Sequence, residues 1–199
     1  MIVAGLTGSI AMGKSVTSKM FAARGIPVFD SDAAVHELYA HGGEAVAPLA
    51  EVVPSAIVEG AVDRRLLAEQ VQQNPALLKK IEAIVHPFVK ARQAAFLSRC
   101  RVDGASVAVL DIPLLFETGR DRDVDKILVV STSAAIQRER ALKRPGMTEE
   151  KLAFILSKQM PDAEKRAKAD HVIDTSLDLD TTAHQVERII AELKNIGQG

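Results

Sequence analysis

Gly8-Ser9-Ile10-Ala11-Met12-Gly13-Lys14-Ser15 follows directly on an apolar run at residues 1–7 and precedes a stretch with helical spacing at residues 14–24. It fits the pattern G-x-x-x-x-G-K-[ST], a loop that wraps phosphate groups. Each part has a physical task. Glycines let successive backbone N–H groups turn inward on the phosphates, and the helix that follows presents its positive end to them. Lys14 reaches the β- and γ-phosphates and the Ser15 hydroxyl is the Mg²⁺ ligand. Strand, loop and helix in that order make this a nucleotide site rather than a glycine-rich turn.

Working outward, residues 26–29, 107–110 and 127–130 are further short apolar runs, and Val172-Ile173 is the heart of another. The first of them closes on Asp30-Ser31-Asp32, the second on Asp111 and Pro113, and the third on Ser131-Thr132-Ser133. Helical patterns separate them and a last one covers about 180–195. Strands alternating with helices predict an α/β fold with a five-stranded parallel sheet and right-handed crossovers. Residues 33–101 read as almost wholly helical, with a joint at His86-Pro87 between patterns at 75–85 and 88–101. One helix suffices for a crossover, so this length predicts an added substrate-binding lobe.

Apolar residues make up 47% of the 199 and aromatics only 4%, with no Trp, so the core is built from Ala, Val, Leu and Ile. Basic and acidic residues number 25 and 26, which gives no global argument for a nucleic acid or an anionic membrane as partner. The single cysteine, Cys100, excludes an internal disulfide and reads as inert. No apolar run approaches the roughly 18 residues of a membrane span and the N-terminus lacks a leader pattern, so a cytoplasmic protein is expected. Between residues 137 and 168 nine basic residues face five acidic ones, a local charge of +4 in a chain of net −1. That is either a solvated helix pair or a set of cations for transferred phosphate.

Asp32 fits two roles: a cap for the helix at 33–39, for which Asp30 and Ser31 also qualify, or a carboxylate that takes a proton from an acceptor hydroxyl. Asp111 is a strand-ending turn residue or a neighbour of the Mg²⁺ water shell. His86 is a packing residue or a substrate contact, and the five histidines lack metal-ligand spacing. Neither D-x-x-G nor N-K-x-D occurs, so the switch and guanine-reading elements of a GTPase are missing.

Taken together, Leu6-Thr7-Gly8 with Gly13-Lys14-Ser15, Phe29-Asp30-Ser31-Asp32 with His36, Leu66 after Asp63-Arg64, and Glu82 through His86-Pro87 resemble the dephospho-coenzyme A kinase family. So do Asp111 through Pro113-Leu114-Leu115-Phe116-Glu117, Gln137 with Arg140, Gln159 with Arg166, and Ala169 through Asp174. The resemblance runs over nearly the whole chain. It implies transfer of the ATP γ-phosphoryl group to the ribose 3′-hydroxyl of dephospho-coenzyme A. It also implies a three-layer P-loop NTPase fold in one kinase domain over 1–199. The core would comprise about 1–32, 104–136 and 169–199, with a helical coenzyme A lobe at about 33–103 and a mobile lid at about 137–168.

By the same resemblance Asp32 is the base, and Arg140, with Arg166 second, a lid arginine on the ATP phosphates. Gly8, Ala11, Met12, Gly13, Lys14, Ser15 and Val16 hold the nucleotide, while Asp32, His86, Pro113, Leu114 and Glu117 line the acceptor side. ATP and Mg²⁺ are the implied cofactors, dephospho-coenzyme A the partner; the oligomeric state stays open. Relatives of this kind usually carry glycines and a serine where this loop has Ser9, Ala11 and Met12, and often Thr at Val16. Small residues are expected to be tolerated if φ stays negative there, and Met12 is expected to alter access to the phosphates.

Overall fold

In the computed structural model, which describes residues 1–197, the apolar runs are strands, and the central ones are buried nearly throughout, as parallel strands between helix layers require. β1 (Ile2–Thr7) pairs in parallel with β5 (Val107–Asp111) and with β6 (Lys126–Ser131), and β6 pairs in parallel with β7 (His171–Asp174). With β2 (Val28–Asp30) at the far edge, the order is β2-β5-β1-β6-β7. The chain thus moves from β1 to one side of the sheet for β2 and β5, then to the other for β6 and β7. That reversal falls at the C-terminal end of β1, the position where α/β sheets bind their ligands.

Helices α1 (Lys14–Ala23) and α9 (Leu179–Ile196) cover the sheet. Phe21 of α1 and Val186, Ile189, Ile190 and Leu193 of α9 form one buried cluster with Leu6, Val109, Leu128, Val130 and Ile173 of the strands. The apolar residues of α9 recur at three- and four-residue spacing, so one stripe is buried and the charged face is left to solvent. Helices α6 (Ala134–Leu142), α7 (Glu149–Ser157) and α8 (Asp162–Ala167) lie between β6 and β7 in the chain.

The chain divides into two compact units, one of Met1–Phe29 and the chain from Cys100 on, the other of Asp30–Arg99. The second holds α2 (Ser31–Tyr39), α3 (Val46–Val52), α4 (Arg64–Gln73) and most of α5 (Ala76–Val102), whose C-terminal end carries the buried Cys100. Two expectations for it are corrected. It is not almost wholly helical: β3 (Ile57–Val58) and β4 (Ala61–Val62) form an antiparallel hairpin. Glu59 and Gly60, with φ of 49° and 74°, form its two-residue turn, since positive φ at both positions matches the twist of the strands. Nor does His86-Pro87 separate two helices, because α5 runs through Pro87. Its buried positions Ile81, Val85, Val89, Gln93 and Leu97 keep four-residue spacing across the proline. That continuous stripe outweighs the one backbone hydrogen bond Pro87 cannot donate.

The helix after β2 begins at Ser31, and Asp30 is its cap: the Ala33 N–H donates to Asp30 Oδ1 at 2.9 Å. Asp32 is left exposed in the first turn, relieved of the capping role. Asp30→Ala is therefore expected to cost about 1 kcal/mol in denaturant unfolding, and Asp32→Ala distinctly less. Equal losses would mean that the two carboxylates share the cap.

Candidate active site

The loop between β1 and α1 is shaped by contacts that leave little choice of residue. A Cβ on Gly8 would lie 2.7 Å from the Val130 carbonyl oxygen, closer than side-chain carbons approach. Gly13, at φ 96°, starts α1 with no side-chain cap, and no acidic residue stands in the first turn. By contrast α2, α4, α6, α7 and α9 begin with an Asp, Ser or Thr whose oxygen accepts a backbone N–H. The N-terminus of α1 therefore presents free N–H groups and a positive dipole end, the environment an anion needs. Lys14 and the exposed Ser15 and Val16 stand in that turn.

Lys14 Nζ forms an ion pair and hydrogen bond with Asp111 Oδ1, whose side chain is only 4% exposed at the end of β5. The pair spares a buried carboxylate the cost of standing alone and holds the ammonium beside the loop. Thr175, just past β7, ties the same region together. Its hydroxyl donates to the Met12 carbonyl at 2.8 Å and accepts from Arg140 Nη1 at 3.0 Å, while Arg140 Nη2 donates to the Thr175 carbonyl at 2.7 Å. Arg140 is thus joined to the loop through one threonine.

Two expectations about the loop are corrected. φ does not stay negative at Ala11, where it is 62°. Left-handed backbone costs a residue with a Cβ about 1–2 kcal/mol; here the methyl is buried with Ala141 and Leu152, beside Ile10, Met147 and Leu156. Nor does Met12 stand in the way of phosphates: it is 2% exposed, and its sulfur accepts the Thr132 N–H at 3.2 Å. Long and unbranched, methionine folds under the loop instead of over it.

In the segment after β5, Pro113 offers its carbonyl to the Thr7 hydroxyl at 3.1 Å and Leu114 is exposed. Glu117 pairs with the fully buried Lys165 of α8 at 2.9 Å and accepts the Met160 N–H at 2.8 Å. Burial pushes the Glu117 carboxyl up, but the Lys165 ammonium and the backbone donors together hold it below the usual carboxylate range. Asp32, in α2, and the exposed His86, in α5, belong to the other unit.

Of the cations between residues 137 and 168, Arg138 pairs with Glu149 and Lys143 with Glu139, while Arg166 is exposed. The importance of Thr175 and Lys165 escaped the sequence reading. A polar residue just past a strand's C-terminal end marks Thr175 as a ligand-side position; nothing separates the buried Lys165 from the solvated lysines around it.

Together the reversal of strand order, the uncapped α1 and the Lys14–Asp111 pair define a phosphotransferase of the P-loop kinase class. The family model described as dephospho-CoA kinase matches residues 1–188, and the chain belongs to that family. A dephospho-CoA kinase of Mesorhizobium japonicum is 56% identical over 195 residues, 98% of each chain. Among solved structures, a Thermus thermophilus protein shares 33% identity at a TM-score of 0.83, covering 96% of this chain and 97% of its own. Dephospho-CoA kinase from Campylobacter jejuni, 23% identical with 97% of each chain covered, has the same fold at a TM-score of 0.73. Among the described residues no helix is long and apolar enough to cross a membrane.

Two outcomes test this geometry. Ala11→Gly relieves φ but removes a methyl worth about 0.8 kcal/mol, so unfolding free energy should stay within about 1 kcal/mol. Ala11→Val, β-branched at positive φ in a packed cluster, should lose about 2 kcal/mol or more. A carboxyl whose folded-state pKa is held low adds stability above its unfolded value of about 4.3, and that stability is lost as pH falls from there through the lower folded-state value. Acid unfolding of Glu117→Gln should accordingly be less steep than that of the parent below about pH 4.5; parallel curves would refute the pair's contribution.

Proposed function

We propose the following division of labour for the transfer of phosphate from ATP to a hydroxyl of dephospho-CoA. The reading is carried by the uncapped N-terminus of α1, set at the sheet's reversal point with a lysine and an exposed hydroxyl in its first turn. Backbone N–H groups of the loop's C-terminal end and the first turn of α1 cradle the phosphates, and Lys14, given up in part by Asp111, neutralises the β- and γ-oxygens. Arg140, oriented by Thr175, faces the charge that develops in transfer.

The donor set suits Mg²⁺. Ser15 offers an exposed hydroxyl, and the Asp111 carboxylate adjoins the residue before it. Among the described residues no group of three or more His, Cys, Asp or Glu would cage an ion. A cation that keeps waters and takes its ligands mainly from substrate phosphates fits such a site. Held there, Mg²⁺ would supply positive charge that offsets the charge of the phosphate oxygens.

The acceptor is the ribose 3′-hydroxyl. Its proton passes to the Asp32 carboxylate as its oxygen forms a bond to the γ-phosphorus and the bond to the ADP oxygen breaks. Asp32, exposed and freed from capping by Asp30, is available for this in a way a cap is not. His86, Pro113, Leu114 and Glu117 line the acceptor side, and residues 137–168 act as a lid that excludes water and limits hydrolysis.

With purified protein, ADP release should be stimulated by dephospho-CoA and not by AMP, CMP or shikimate; stimulation by one of those instead would reassign the acceptor. Asp32→Asn should lower kcat by roughly 10²–10⁴ with the KM for ATP little changed. Activity within a few-fold of the parent would remove Asp32 from the chemistry. Lys14→Ala should fold and fail to turn over.

A further inference from the structure

Ile10 stands at the crown of the phosphate loop, and both polar groups of its backbone are taken by glutamine side chains. Gln137 Nε2 donates to the Ile10 carbonyl at 2.9 Å, and the Ile10 N–H donates to Gln159 Oε1 at 3.1 Å. Each partner fixes its amide: a carbonyl can only be met by the NH₂ end, an N–H only by the oxygen. Gln137 is 6% exposed in α6, and Gln159 follows α7, so both lie in the segment proposed above as lid, on either side of α7. The Ile10 side chain packs into the Ala11, Ala141 and Leu152 cluster beside Met147 and Leu156 of that segment.

A phosphate loop works only when its N–H groups point inward together, and this one carries Ala at a left-handed position. The Met12 N–H bond to the Ser9 carbonyl and the Thr175 hydroxyl on the Met12 carbonyl hold one part of the loop; at Ile10 the side chains of residues 137 and 159 hold it. We propose that Gln137 and Gln159 are positioning residues, a two-sided clamp on the Ile10 backbone that keeps the phosphate loop in its ATP-binding shape. Their amides are spent on the Ile10 backbone, so they act through the loop. Because the clamp's two arms are the ends of the α6–α7 segment, a change in that segment's packing changes nucleotide affinity.

The two arms require opposite chemistry, which gives the test. This rests on the loop binding ATP, and direct ATP binding by calorimetry reads it independently of the acceptor. A buried polar group left unpaired weakens the folded arrangement by about 1–3 kcal/mol, or roughly 5- to 150-fold in an equilibrium constant. The dissociation constant for ATP should thus rise at least about fivefold in Gln159→Ala and in Gln137→Ala, with dephospho-CoA affinity unchanged. Gln159→Glu keeps an acceptor for the Ile10 N–H and should restore ATP binding to within about twofold. Gln137→Glu sets a carboxylate against a carbonyl and should be as weak as Gln137→Ala or weaker. Loss of thermal stability with ATP affinity intact, or Gln159→Glu no better than Gln159→Ala, would overturn the clamp. Failure of dephospho-CoA to accept phosphate from a protein that shows this affinity pattern would overturn the function and leave the clamp standing.

Discussion

The tight passage from β1 into α1 is the constraint on which the rest of the molecule depends. β1 lies at the centre of the sheet, paired on both edges, and the chain must leave it without room for a side chain at residue 8, because the Val130 carbonyl is there. Having turned, it must start a helix with nothing capping it. A helix end whose first N–H groups no side chain caps leaves them, with the positive end of the helix dipole, open to something negative. The architecture therefore carries a standing demand for an anion at the point where the strand order reverses, and phosphate satisfies it.

Around that demand the polar network is arranged to hold cations ready without letting them collapse onto the loop. Lys14 rests on Asp111, Arg140 on Thr175, and Thr175 on the Met12 carbonyl. Each cation has a partner it can share when phosphate arrives, so none is left bare and desolvated in the free protein. Further out, Lys165 and Glu117 pair in the interior while Asp162 accepts from Ser131 at 2.7 Å, and both contacts fasten α8 to the sheet unit. The loop is thus framed by residues from several turns of chain, and its own eight residues supply only part of its shape.

Much of this was legible in the sequence because it followed from local rules. The apolar runs gave the strands, the phosphate loop gave the first crossover, and the motifs around Asp32, His86-Pro87 and residues 113–117 narrowed the family. What escaped was set by tertiary contacts. Asp30 and Asp32 are equivalent as caps on spacing alone, and only backbone geometry chooses Asp30. The hairpin at residues 57–62 was hidden because Glu, unlike Asn or Asp, rarely takes the first positive-φ position of a two-residue turn. Pro87 reads as a break because propensity is local, whereas the buried stripe that carries α5 past it is not. Ala11 read as tolerable only at negative φ and Met12 as an obstacle; burial against the α6–α7 segment accommodates the first at positive φ, and an inward-folding side chain removes the second.

The central claim is that this phosphate loop serves transfer to one hydroxyl of one acceptor. Phosphorus NMR of a reaction containing ATP, Mg²⁺ and dephospho-CoA tests it most directly, because it reports the product itself. The account predicts loss of the ATP γ-resonance and growth of a new phosphomonoester signal coupled to the ribose 3′ proton, in step with ADP. A spectrum in which ADP grows with inorganic phosphate alone, or with a phosphomonoester elsewhere on the acceptor, would contradict it.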